Sequence, residues 1–157
     1  MLTLVLSLAA CDKSPSVECP YRTTTAVASA TEIANLKTYL DANALPYAQH
    51  PSGVFYQVKT QGSGTVPGVC SAVTVKYKGS LTNGTAFDSS YSGFPDGITF
   101  TLGEVIPGWQ IGVPLIQKGG SIILYIPPSL GYGAAGSGTA IPPNSNLVFN
   151  VELLDVQ

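Results

Sequence analysis

In VTVKYKGSLTNGTAFDSS, residues 73–90, Val73, Val75 and Tyr77 alternate strictly with Thr74, Lys76 and Lys78. Successive side chains of a strand point to opposite faces, so this pattern describes a strand with one buried and one solvated face. Asn83-Gly84 follows, the favoured dipeptide for the tight turn of an antiparallel hairpin. The stretch is therefore read as a strand running into a hairpin.

The same texture extends in both directions. GVFYQVK (53–59) is β-branched and aromatic, and QGSGT (61–65) is a turn. Ile98, Phe100 and Leu102 alternate with threonines, SIILYIP (121–127) reads as a buried strand, and LVFNVELL (147–154) puts Leu147, Phe149, Val151 and Leu153 on one face. Between them Pro107 is suited to the first position of a short helix that Pro114 must end. Upstream, Ser29-Ala-Thr-Glu32 has the form of a capping box, and Ile33, Leu36 and Leu40 recur at helical spacing before Leu45-Pro46. That predicts an amphipathic helix from about Thr31 to Asn43. The fold class is α+β: a twisted antiparallel sheet of about five strands wrapped around one short helix, with an N-terminal helical extension.

Composition agrees. Charged residues are 10% of the 157, and 17 glycines and 12 prolines punctuate the chain, as in a β-rich fold with many turns. The net charge of −2, without a basic run, argues against a nucleic-acid partner.

The N-terminus carries a different signal. MLTLVLSLAA (1–10) is apolar and matches the hydrophobic region of a signal peptide, although a positively charged leading segment is missing. Leu8-Ala9-Ala10-Cys11 resembles the bacterial lipobox, in which the cysteine becomes the lipidated first residue. An ordinary cleaved signal or a frayed apolar tail is the alternative. The expected organisation is a signal and lipobox over 1–11, a tether and short helix over 12–50, and a main domain over 51–157. Cys19 and Cys70 remain; export would permit a bridge tying the N-terminal segment to the domain, or the two thiols stay separate.

Most familiar chemistries are missing. The single histidine, His50, is read as solvated, so histidine triads and multi-histidine metal sites are not expected. The nine acidic residues form no clear glycosidase pair, and neither a P-loop nor a dinucleotide fingerprint occurs. Neither a metal nor a cofactor is expected. Any activity must arise from shape, desolvation and hydrogen bonds.

Four segments in order, VKYKGSLTNGTAFDSS (75–90), GEVIPGWQIGV (103–113), LGYGAAGSG (130–138) and IPPNSNLVFNVELL (141–154), closely resemble the FKBP-type peptidyl-prolyl cis–trans isomerases, over about 100 residues from Gly53 onward. The resemblance implies an aromatic pocket for a proline ring. Trp109 would be its floor, Tyr77, Phe87 and Phe149 its walls, and Val105 and Ile141 part of its lining. The Ile106 amide and the Tyr132 hydroxyl would hydrogen-bond substrate carbonyls, with Asp88 ordering the polar edge. Plainer readings stay open: core for Trp109, Phe149 and Ile141, a structural hydroxyl bond for Tyr77, a turn cap for Asp88.

The resemblance further implies proline-containing polypeptide clients and macrolide inhibitors as ligands; with the lipobox at Leu8–Cys11, the expectation is a lipid-anchored monomer of the bacterial envelope facing the periplasm. Three departures matter, one of them a loop between Leu102-Gly103 and Glu104 that is shorter than in some members. Tyr91-Ser-Gly-Phe94 lacks the arginine some members place beside the acidic edge, and the 133–140 loop has small residues at its tip, ending at Ala140. A smaller, more mobile rim is expected. A groove that binds prolyl peptides or acts as a chaperone with little catalysis is the alternative function.

Overall fold

The computed structural model describes residues 18–157. The signal and lipidation reading at 1–11, including Cys11, lies outside the described residues, as does the start of the tether. In chain order the elements are helix α1 (Ala30–Ala42), strands β1 (Ala48–Gln49), β2 (Phe55–Thr60), β3 (Ala72–Leu81), β4 (Ala86–Ser89) and β5 (Ile98–Thr101), helix α2 (Pro107–Gly112), and strands β6 (Ser121–Ile126) and β7 (Leu147–Val156). Short 3-10 turns occupy Leu102–Glu104, Val113–Leu115 and Pro128–Leu130.

The strands pair antiparallel in the order β1-β2-β6-β7-β3-β4, and β5 also pairs with β3. β4 takes the Lys78–Ser80 end of β3 and β5 takes the Ala72–Val75 end, so the two are halves of one interrupted edge lane. This explains the difference from about five strands. The two-residue β1 has too little pattern to be legible, and β4 hides in FDSS, whose polar residues read as a turn.

β6 reads as a continuous apolar run because both of its faces are covered. Ile122, Leu124 and Ile126 belong to the main core with Trp109 and Val113, whereas Tyr125 and Ile123 pack with Leu36, Leu40 and Phe55 on the α1 side. Burying Leu36 and Leu40 fully contributes about 1.5–3 kcal/mol each.

α1 starts one residue before the expected Thr31. Its Ser29 Oγ accepts from the Glu32 amide at 3.3 Å while Glu32 Oε2 accepts from the Ser29 amide at 2.9 Å, a complete capping box. α2 begins on Pro107 and lies flush on the sheet because two glycines face it. A Cβ on Gly108 would fall 2.5 Å from Ile126 Cγ2, and one on Gly112 would strike Leu124.

Residues 18–28 form neither helix nor strand, as a tether would, yet they are held against the domain. Cys19 and Cys70 are joined in a disulfide with Cα atoms 5.9 Å apart. Tyr21 packs over Gly103, its hydroxyl donates to Glu104, and Ala28 is buried with its amide 2.9 Å from the Ser52 carbonyl. His50 also differs from its solvated reading: it is half-buried, and Nδ1 accepts from the Ser52 amide at 3.1 Å.

Candidate active site

A concave cleft of about 470 Å³ opens on the α2 side of the sheet. It lies within the range of small-ligand sites. All nine residues named for the pocket line it: Tyr77, Phe87, Asp88, Val105, Ile106, Trp109, Tyr132, Ile141 and Phe149. Phe100, Glu104, Ser137 and Ala140 line it too.

The floor is built by perpendicular stacking. The Trp109 ring stands at 86° to Tyr77, 84° to Phe100 and 89° to Phe149, with centroids 5.3, 6.0 and 5.3 Å away. Edge-to-face contacts suit the positive rim and negative face of aromatic rings. Phe87 continues the wall by meeting Phe149 at 81° and 5.5 Å. Gly79 makes that pair possible, because a Cβ there would lie 2.5 Å from Phe87 Cε2 and 2.8 Å from Phe149 Cε1. Trp109, Phe149 and Ile141 are nearly fully buried, so they are core residues and cleft lining at once.

Asp88-Ser-Ser90 organises the polar edge. The Tyr77 hydroxyl donates to Asp88 Oδ2 at 2.6 Å, and the Ser89 amide donates to Asp88 Oδ1 at 2.8 Å. Buried Ser90 accepts the Tyr77 amide at 2.8 Å and fixes the backbone of the same residue. Burial, then the hydrogen bond to Asp88, pushes the Tyr77 phenol well above its ordinary range. Burial and the nearby Asp88 charge raise Tyr132 likewise. Both phenols therefore stay protonated, and Tyr132, which is exposed, is an available donor.

On the opposite rim, Gln110 Nε2 donates to the Val105 carbonyl at 2.8 Å and to the Gly103 carbonyl at 3.3 Å. This holds the backbone entering α2. Among the described residues nothing accepts from the Ile106 amide, which is left as a free donor at the cleft. The loop after Tyr132 is tied rather than loose: Ser137 and Ile141 exchange backbone hydrogen bonds of 2.8 and 3.1 Å. Among the described residues no three His, Cys, Asp or Glu side chains gather as a metal site.

Phe100 was legible only as one tooth of an alternating strand, since nothing local says which face meets Trp109. Gln110 carries no sequence signal at all.

Comparison with known proteins converges on the same region. Residues 64–154 match the family described as FKBP-type peptidyl-prolyl cis-trans isomerase. Over 107 residues the chain is 52% identical to the FKBP-type peptidyl-prolyl cis-trans isomerase FkpA of Escherichia coli (strain K12), covering 68% of this chain and 38% of that protein. It is 48% identical over 103 residues to FK506-binding protein 1 of Dictyostelium discoideum, covering 65% of this chain and 96% of that one. The crystal structure of FkpA from Escherichia coli superposes with a TM-score of 0.73 at 45% identity, over 82% of this chain and 60% of that structure. The chain thus spans well under half the length of the FkpA relative, while matching nearly all of the Dictyostelium protein. With the aromatic cleft inside the matched segment and the sheet superposing on that of a relative, the chain belongs to the FKBP-type peptidyl-prolyl cis–trans isomerase family.

Proposed function

We propose that the chain is a peptidyl-prolyl cis–trans isomerase, accelerating rotation about X-Pro bonds in exported polypeptides. The observation that carries this reading is the cleft itself: a Trp109 floor boxed by three perpendicular aromatic rings, with two donors at its edges, Ile106 N–H and Tyr132 Oη.

The chemistry follows from amide resonance. Rotation about C–N meets a barrier of about 18–20 kcal/mol because resonance makes that bond partly double. The same resonance makes the planar ground state strongly dipolar, and the twisted transition state loses much of that dipole. A water-poor aromatic cleft disfavours the dipolar planar form relative to the twisted one. Proline suits such a site because its two isomers differ by only about 0.5–1 kcal/mol yet exchange over tens of seconds or longer.

A barrier lowered by about 5–6 kcal/mol gives about four decades in rate. Hydrogen bonds from Ile106 and Tyr132 to substrate carbonyls contribute about 0.5–1.5 kcal/mol each, and act on rate only where they strengthen in the transition state. Asp88 is engaged by Tyr77 and Ser89, so its role is to order the polar edge. Neither a nucleophile nor a general base is needed.

The test is cis-to-trans exchange in an X-Pro peptide catalysed by the full chain, beside Trp109→Ala and Tyr132→Phe. A wild-type rate equal to buffer overturns the enzyme reading and leaves a prolyl-peptide-binding or chaperone module, the reading that small rim residues such as Ala140 favour. Macrolides that compete for the cleft form the second ligand class. The resemblance of Leu8–Cys11 to a lipobox supports a lipid anchor in the bacterial envelope, with the domain facing the periplasm. Cys11→Ser then abolishes partitioning into detergent; unchanged partitioning overturns the anchor.

A further inference from the structure

Glu32 lies in α1, outside the residues matched to the family, yet its carboxylate is shared between two parts of the molecule. Oε2 accepts from the Ser29 amide and hydroxyl, each at 2.9 Å. Across 97 residues of sequence, Oε1 accepts from the Ser129 amide at 2.9 Å and Oε2 from the Ser129 hydroxyl at 2.9 Å. A capping box explains the first pair of bonds and leaves the second unexplained.

Ser129 stands three residues before Tyr132, and the path between them is short and stiff. The Ser129 N–H and the Pro128 carbonyl belong to one planar peptide unit. That carbonyl accepts from the Gly131 amide at 2.9 Å and the Gly133 amide at 2.8 Å, the two residues flanking Tyr132. Glu32 therefore holds one end of a rigid plane whose other end holds the backbone on both sides of Tyr132. The glycines themselves supply no stiffness, so the segment depends on such anchors; on the far side the Tyr132 carbonyl accepts from the Gly136 amide at 3.1 Å and the Gly133 carbonyl from the Asn144 amide at 2.8 Å. The N-terminal segment also reaches the opposite rim, where Tyr21 packs on Gly103 and donates to Glu104.

We propose that Glu32 is a positioning residue for Tyr132, acting through the Pro128–Ser129 peptide, and that residues 18–42 brace the cleft. This rests on the isomerase reading for its kinetic consequence, though the geometry stands without it. A misaimed donor loses transition-state stabilisation while leaving the floor and walls intact.

The experiment compares Glu32→Ala, Ser29→Ala, Tyr132→Phe and the Glu32→Ala/Tyr132→Phe double variant in the full chain. Two quantities are read: kcat/KM for X-Pro exchange, and hydrogen exchange at the Gly131 and Gly133 amides. Ser29→Ala weakens the helix cap but leaves the Ser129 bonds, so it controls for lost stability. The expected result is a fall of about fivefold in kcat/KM for Glu32→Ala, less than about twofold for Ser29→Ala, and little further loss when Glu32→Ala is added to Tyr132→Phe. Gly131 and Gly133 should exchange about tenfold faster in Glu32→Ala and in the double variant, but not in Ser29→Ala or Tyr132→Phe. Equal fractional losses with and without the Tyr132 hydroxyl, or unchanged glycine exchange, overturn the brace. An inactive wild-type chain overturns the isomerase reading instead, and the exchange data still decide the brace.

Discussion

Tyr77 and Asp88 meet on a diagonal of the β3–β4 ladder: Asp88 is paired with Gly79, two residues beyond Tyr77, and the two side chains join at 2.6 Å. One bond thus couples a cleft wall to the polar edge. Tyr77→Phe removes a hydrogen bond to a charged acceptor and is expected to cost about 1.5–3 kcal/mol in urea unfolding. It should also lower kcat/KM, since Asp88 then loses one of its two partners. Unchanged stability would show the bond to be incidental.

Trp109 is buried among three rings, so truncation combines lost transfer energy with an unfilled cavity. Trp109→Ala is expected to destabilise by about 3–5 kcal/mol and to abolish detectable X-Pro exchange. Trp109→Phe keeps an aromatic floor and should fall between that variant and wild type in both thermal unfolding and rate.

Gly79 is demanded by rings and not by a turn. Gly79→Ala drives Phe87 and Phe149 off their perpendicular packing and is expected to cost about 1–3 kcal/mol. The rate should fall too, measured in the same peptide assay, because both rings line the cleft. Full retention of stability and rate counts against the proposed tight fit.

Acid should weaken the N-terminal brace. Burial works to raise the Glu32 carboxyl, but hydrogen bonds from the backbone and hydroxyls of Ser29 and Ser129 hold it below its ordinary value of 4.5. A depressed folded value means that its stabilisation is present above about pH 4.5 and is lost as pH falls through the lower folded value. Melting temperature plotted against pH should therefore drop less steeply below that point in Glu32→Gln than in wild type.

The Cys19–Cys70 disulfide closes a loop of sequence separation 51. Restricting the unfolded chain over such a loop contributes about 2–4 kcal/mol. Cys70→Ser is expected to lose that amount under oxidising conditions and to match wild type in reductant. Urea midpoints measured with and without dithiothreitol provide the check.

Much of the sheet was legible because strand formation writes a local record. The alternation over Val73–Lys78 and the single apolar face of Leu147–Leu153 each need only a few neighbouring residues to declare themselves. Pro107 and the Ser29–Glu32 box marked helix starts for the same reason, since the orphan amides of a first turn must be met locally. β1 was lost for want of length, and β4 because the polar residues of FDSS read as a turn.

The cleft residues were named from four ordered segments, and all nine stand together. What those segments did not carry is how the residues are held. Phe100 joined Trp109 only once β5 paired with β3, and Ser90 gripped Tyr77 only across the hairpin. Residues 18–28, read as part of a tether, form a disulfide-bound strap, and Glu32 gains a second partner.

Five of the seven strands, the turns, the helix starts and the aromatic stock of the site were legible in residue order, because each depends on backbone preference and short-range periodicity. Tertiary structure alone decided that Tyr21 reaches Glu104 and that Glu32 reaches Ser129, 83 and 97 residues away. Such contacts leave no local period in the chain: their partners are brought together by burial of the sheet's two faces, and only then do hydrogen bonds select which polar groups meet.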